Sequence, residues 1–455
     1  MKKVFGMIAL AVALAACNKN EIDLQPMEQP FDNAGGITIT ATLASKNVGT
    51  RAVTDDGSNI VVDWAKNEHL AILYEVDGVK KAADAEITGV DGDGTATISF
   101  TVDGSTANNT PCTIVYPLSA AKDDNSGRKS DTELLSTQDG KLSAALDVRV
   151  GAGTIQPTTT GLTVTTQPEP QFAIARFTIQ DLSGNAKNVS FFKFYYWEEG
   201  NMKEEAIVTP SPAADVLYVA LPAFSGKKPY FYAVSGGTPC YAKVYTTTMV
   251  ETGKYYQSTL KMATVGNVIG IDGLFYINKE AAETVNDNTA EAMIAFIGDG
   301  SETFDAMNFT NLAIALQDAS DDTLSWDDAN GAISIWANRY HRINTTNIYG
   351  GWILPDINAW KAMFRGCGGH LLPDTGGGGE NFNYGNFRTL LTTAGGTDIH
   401  GDHYGDYYWS GTESGPYNAW GFCFYNNKYL GTPAGQFYTP QKTSKQYVRY
   451  CFEFF

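Results

Sequence analysis

The chain has 455 residues, of which 43% are hydrophobic and 18% charged, and a formal net charge of −18. That sign argues against nucleic acid, whose phosphates attract cationic surfaces, and gives no pull toward an anionic membrane. The length sets an expectation of about three domains, and 46 Gly, 24 Tyr and 23 Phe lean toward strands and turns.

At the amino terminus Lys2 and Lys3 precede an apolar run from Val4 to Ala15. The run is too short to span a bilayer and has the shape of a signal-peptide core. It ends Leu14-Ala15-Ala16-Cys17, which resembles a bacterial lipobox. The resemblance implies cleavage before Cys17 and acylation there, by enough chains to anchor stably. Residues 1–16 are then the signal peptide and 17–35 a polar tether. No later apolar run is long enough to cross a membrane.

Ile37–Leu43 alternates apolar and Thr residues, the period of a strand with one buried face. Ala96, Ile98, Phe100 and Val102 alternate likewise after the Asp91–Gly94 turn cluster. Further strands are expected at His69–Tyr74 and at Cys112–Tyr116, where Pro117 stops the run. Long helical periodicity is missing here, so this stretch reads as an antiparallel sandwich. Thr158–Pro170 reads as a linker or long loop. A second strand-rich unit opens at Phe172–Ile179, continues through Val216–Pro222 and Tyr230–Val234, and closes at Gly253–Leu260.

Val62-Asp63-Trp64-Ala65-Lys66-Asn67-Glu68, Tyr116-Pro117, Gln138, Phe172 with Phe177, and Gly253-Lys254 with Tyr256 together resemble landmarks of the fimbrillin family of Bacteroidetes lipoproteins. Asn67-Glu68 departs from the family's Gly-Asp, and its His near Phe172 is missing. Arg51-Ala52 then stands where an Arg-specific surface protease would remove the leader with its first strand. Losing a strand exposes unpaired edges and an apolar groove, which a neighbour's strand can fill. The bland alternative is a surface Arg in a polar loop.

From Val268 the texture changes. Asn311–Ala319, Gly351-Trp352-Ile353-Leu354-Pro355, Tyr408-Trp409-Ser410-Gly411-Thr412-Glu413, Asn418-Ala419-Trp420 and Tyr447-Val448-Arg449 occur in order. This series resembles the C-terminal domain of the Lcl-type and Fibrobacter major-paralogous families, which implies a C-type-lectin-like fold. A helix is expected after Pro355, capped by Asp356, with Ile357, Trp360, Met363 and Phe364 on one face. Trp352, Trp360, Trp409 and Trp420 read as core residues.

Recognition is expected instead in two irregular segments, one around Phe382 and Tyr384, the other carrying His400, Asp402, His403 and Tyr404. His400-x-Asp402-His403 is a weak metal pattern, better read as a solvated loop. The Ca²⁺-lectin signatures EPN, QPD and WND do not occur, and Leu372–Gly376 spells a sortase motif without the apolar segment and basic tail that would follow it. Apart from Cys17 there are five cysteines, so at least one thiol lacks an intramolecular partner. A Cys423–Cys451 bridge is the preferred pairing, with Cys367 as the competitor. A base or cation to activate a thiol is not adjacent, Arg449 aside.

The expected architecture is multidomain: two antiparallel β-sandwich (fimbrillin/transthyretin-like) domains at 36–166 and 167–264, then an α+β C-type-lectin-like head at 265–455. The expected function is a cell-surface fimbrial subunit, a tip or accessory adhesin, partnered by other subunits through strand exchange and by a surface glycan or protein through the head. It is anchored in the outer membrane before processing. The alternative is a membrane-anchored glycan-binding lipoprotein of a polysaccharide-uptake system. No cofactor, metal or enzymatic activity is expected.

Overall fold

A computed structural model describes residues 36–44, 54–55, 60–61, 63–159, 161–198, 201–285, 287–298, 303–304, 307–308, 311–339, 351–372, 380–401, 406–427 and 432–454. Three strand-built units follow one another along it.

The first is a seven-stranded antiparallel sheet in the spatial order Ile37–Leu43, Ala96–Val102, Val79–Val90, His69–Val76, Thr110–Tyr116, Arg149–Gln156, Gly161–Pro170. The sheet folds over so that its two edge strands face each other, and the Ala44 amide donates to Gln167 Oε1 at 3.2 Å. The alternating residues predict the burial: Ile39, Ala41 and Leu43 point inward while Thr38, Thr40 and Thr42 stay exposed. Inward residues of the facing strands complete one core with Trp64, Ile72, Ile98, Phe100, Ile114 and Tyr116.

Gly161–Pro170 is a strand paired with Arg149–Gln156, which corrects the expected linker at Thr158–Pro170. Its Thr, Gln and Pro residues suit an edge, where a missing amide costs no ladder partner. Close pairing depends on Gly151, where a Cβ would lie 2.7 Å from Thr166 O. Leu162 and Val164 lean on the core.

The second unit orders Asn201–Val208, Phe191–Glu198, Pro229–Ser235, Thr238–Lys243, Tyr255–Thr264, Ala173–Asp181 and Val216–Leu221. The Ala173–Asp181 and Tyr255–Thr264 strands run parallel. Its core is aromatic: the Phe177, Phe192 and Phe194 rings all lie within 5.8 Å of Phe231. The two edge strands are bridged by a segment of the first unit. Gln138 donates its amide to Ile207 O at 3.4 Å and accepts from Thr209 N at 2.8 Å, while its side-chain Oε1 accepts from Ala220 N at 2.6 Å. Tyr218 N adds a bond to Gly140 O. Leu73, Val115, Leu135, Leu146, Phe172, Ile174 and Ala220 form a shared apolar cluster around that insertion.

The third unit is α+β. One sheet orders Phe275–Tyr276, Val268–Gly270, Ala290–Ile297, Asn311–Ala315 and Cys451–Glu453, and the other His370–Leu371, Asn381–Asn383, Thr432–Tyr438, Ala419–Asn427 and Tyr407–Glu413. Among its helices are Trp326–Arg339, Ile357–Gly366 and Phe387–Thr393. Asp356 caps the middle one as its sequence suggests, accepting from Ala359 N at 2.6 Å. That helix lays Ala359, Trp360, Met363 and Phe364 between the sheets.

The structure forms no disulfide among Cys112, Cys240, Cys367, Cys423 and Cys451, which corrects the expected Cys423–Cys451 bridge. Cys423 lies on Ala419–Asn427, opposite Tyr407 and Gln436. Cys451 belongs to the other sheet, opposite Ile314. Cys451 is packed in the cluster between the sheets with Phe422 and Phe424, the neighbours of Cys423 in the chain, whereas Cys423 is not part of that cluster.

Candidate functional site

Two places in the chain carry chemistry that a packed β protein does not require. The first is the edge strand Ile37–Leu43. It pairs with Ala96–Val102 over its whole length, from Ile37 opposite Val102 to Leu43 opposite Ala96. Its other side meets Gly161–Pro170 without a ladder. The end of the strand is fixed by Trp64, whose indole Nε1 donates to Ala44 O at 2.9 Å. The same ring meets Tyr116 edge-on at 5.2 Å. In the sequence Trp64 is legible only as one residue of a motif; its hold on the end of this strand depends on a carbonyl 20 positions earlier. Cys17, Arg51 and Ala52 lie outside the described residues.

The second place is a buried polar group in the head. Arg449 is fully buried, and its Nε donates to Asp318 Oδ1 at 2.6 Å. Its Nη1 and Nη2 donate to Thr397 O at 3.1 Å and Thr397 Oγ1 at 2.8 Å. The Tyr408 hydroxyl donates to the other Asp318 oxygen at 2.9 Å and accepts from His400 N at 3.1 Å. Burial pushes the Tyr408 phenol well above its ordinary range, with the Asp318 charge acting in the same direction. Tyr408 therefore stays a neutral donor.

His400 covers this group. Its ring stacks on Tyr447 at 4.0 Å with 3° between planes, and Nε2 lies 3.7 Å from Asp318 Oδ2. Half of its side chain is exposed. Asp402, His403 and Tyr404 lie outside the described residues. Tyr384 is corrected: it is 5% exposed and packs against Phe424 at 5.3 Å and Phe364 at 6.3 Å. The turn that buries it needs Gly385, whose φ is +55° and whose Cβ would lie 2.3 Å from Cys367 O.

The short Trp-Ser-Gly-Thr corner is likewise structural. Trp409 and Trp360 are fully buried, and their indoles donate to Leu324 O at 2.9 Å and Trp409 O at 3.4 Å. Thr412 Oγ1 accepts from Ile357 N at 3.0 Å, tying the corner to the start of the central helix. Asp318 is the site residue that sequence reading left unassigned. Its signal was the acid ending the otherwise apolar run Leu312–Leu316.

Among the described residues no group of three or more His, Cys, Asp or Glu side chains is arranged to hold a metal ion. No helix among them is long and apolar enough to cross a membrane.

No family model matches the chain, and no curated protein does. Among solved structures, a fimbrial protein from Bacteroides ovatus is similar at 14% identity and a TM-score of 0.27, covering 92% of this chain and 99% of its own. A fimbrial assembly protein from Parabacteroides distasonis is similar at 12% identity and a TM-score of 0.27, over 49% of this chain and 90% of its own.

Proposed function

We propose that the chain is a cell-surface fimbrial subunit that accepts a neighbour's strand once its own leading strand is removed. The observation that supports this most directly is the Ile37–Leu43 strand. It lies at a sheet edge, is paired on one side only, and leads into the stretch that holds Arg51. It also fills a groove with Ile39, Ala41 and Leu43. Cleavage between Arg51 and Ala52 would free that strand together with lipidated Cys17. The groove left behind takes any strand with apolar residues at alternate positions, large, small, large.

The head is the part that meets a ligand, a glycan or a protein, in the role of a tip or accessory adhesin of C-type-lectin-like type. His400, exposed above the Asp318–Arg449 pair, is open to such a partner together with Thr397 and Asp398; Asp402, His403 and Tyr404 follow it in the sequence.

The test is the mass of the mature protein taken from its native surface. A chain beginning at Ala52 is expected. A chain that always keeps lipidated Cys17 would overturn strand exchange. The two β units would then act as a spacer lifting a glycan-binding head from the membrane.

A further inference from the structure

The ladder between Ile37–Leu43 and Ala96–Val102 ends with Leu43 opposite Ala96. Ala44 is the first residue past it, and two side chains answer its backbone groups. Its amide donates to Gln167 Oε1 at 3.2 Å, an exposed bond from the opposite edge strand. Its carbonyl accepts from Trp64 Nε1 at 2.9 Å, a bond that reaches out from the core, where Trp64 is 2% exposed.

Trp64 is held in place without the help of the leading strand's backbone. Its ring meets Tyr116 edge-on at 5.2 Å. The turn that follows it is tied to Val79–Val90, with Asn67 N donating to Ile87 O and Ile87 N to Glu68 O, both at 2.9 Å. Glu68 Oε2 closes the turn by accepting from Ala65 N at 3.0 Å. None of these contacts involves Ile37–Ala44, so a departing leader leaves the indole N–H where it is. An indole nitrogen donates and cannot accept, and a buried donor that loses its acceptor is costly.

Side-chain alternation cannot measure the length of an incoming strand. A slip by one residue turns every apolar side chain outward, but a slip by two restores the face. A strand that stops at the Leu43 position still fills the places of Ile39, Ala41 and Leu43. The Trp64 contact distinguishes these cases, because it lies one residue beyond the last inward side chain and needs a carbonyl there.

We infer that Trp64 sets the length and end-point of the strand that the groove accepts. The partner is a neighbouring subunit's strand with seven residues in the ladder and an eighth, still extended, at the place of Ala44. A strand that ends with the ladder, or slips two residues away from Trp64, leaves the buried donor without its acceptor. Every residue type carries the carbonyl, so this demand falls on the backbone and leaves the partner's sequence free at that position. The inference rests on strand exchange as proposed above, and it adds what the exchanged strand must be.

The experiment uses the full chain nicked after Arg51, in which the leader stays seated until a synthetic strand displaces it. Two peptides compete against a labelled reporter: Gly36–Ala44 and Gly36–Leu43, both amidated. The terminal amide of the shorter one replaces the Ala44 N–H and omits its carbonyl. The longer peptide is expected to bind about tenfold tighter, equivalent to about 1.4 kcal/mol. In Trp64→Phe the two should bind alike, because the donor is gone while the ring remains. A Leu43→Ala version of the longer peptide should weaken by the same factor in both proteins, which shows that the groove of the variant is intact. Equal affinity of the two peptides in the wild-type chain would overturn the inference whatever the variant does, and so would an unchanged ratio in Trp64→Phe. Entry of neither peptide would overturn strand exchange itself and the length rule with it. A native chain that keeps lipidated Cys17 would overturn leader removal at the cell surface and leave the peptide ratio as measured.

Discussion

Arg449 and Asp318, 131 residues apart, meet at 2.6 Å in a site where the arginine has no solvent exposure. The pair joins the last segment of the head to the end of the Asn311–Ala315 strand region, and through Thr397 it fixes the segment leading to His400. A buried pair of this kind is a weak source of net stability but a strong constraint, because either charge alone is costly.

Removing both partners should therefore cost less than the two single removals added together. Arg449→Met or Asp318→Asn is expected to destabilise the head by about 3–5 kcal/mol, and the double variant by less than their sum. Arg449→Lys should not rescue, since one ammonium cannot replace a fork reaching three oxygens. Denaturant titration of the three variants and the double variant checks this.

The leading strand is expected to be held mainly by its inward side chains. Leu43→Ala should cost about 2–5 kcal/mol as a buried large-to-small change, whereas Thr40→Ala, on the exposed face, should be near neutral. Trp64→Phe should cost about 1 kcal/mol through the lost bond to Ala44 O. Rates of leader release by an Arg-specific protease, followed by gel and by Trp fluorescence, should rise in Trp64→Phe and Leu43→Ala and not in Thr40→Ala.

Thiol chemistry separates the two readings of the cysteines. Burial pushes the Cys112 and Cys240 thiols up to about 12, and Cys367 and Cys451 higher still. Neutral-pH alkylation of the native protein should leave all four unmodified, because the thiolate is the reactive form. In denaturant, with no reductant added, Cys423 and Cys451 should both alkylate. A bridge between them would block both.

Lys243 makes stability depend on pH. Its ammonium sits 4.9 Å from the centre of the Tyr245 ring and 5.3 Å from that of Phe275, and burial, with Lys228 adding to it, lowers its pKa from 10.5 to about 7. Below about 7 the amine is protonated in both folded and unfolded chains, and folding carries the full cost of burying the charge. Above 7 the folded chain releases the proton that the unfolded chain retains, so stability should rise from pH 7 toward 10, below the range where tyrosines titrate. Lys243→Met should flatten that slope, as read by denaturation midpoints at pH 7, 8.5 and 9.5.

Much of the strand architecture was written in local alternation. Ile37–Leu43 and Ala96–Val102 announced both their conformation and their buried faces, because a period of two has only one way to meet a core. The Asp356 cap was equally local. Gly161–Pro170 escaped detection because an edge strand needs no apolar period and tolerates Pro, and its pairing depends on a missing Cβ in the neighbouring strand. Tyr384 misled for the opposite reason: a Gly-rich context suggests exposure, yet Gly385 there serves to turn the ring inward. Asp318 and Arg449 each stood in a motif, but nothing local encodes a contact across 131 residues.

The Gln138 insertion has a mechanical consequence. A segment of the first unit lies hydrogen-bonded between Asn201–Val208 and Val216–Leu221, the two edges of the second. A pull separating the two units cannot simply extend a linker. It must shear the Gln138 bonds to Ile207, Thr209 and Ala220 together and open the Leu135–Phe172–Ala220 cluster in the same event. Stretched from its ends, the amino-terminal half should yield as one rod with a single rupture force, and Gln138→Gly should split that rupture into two.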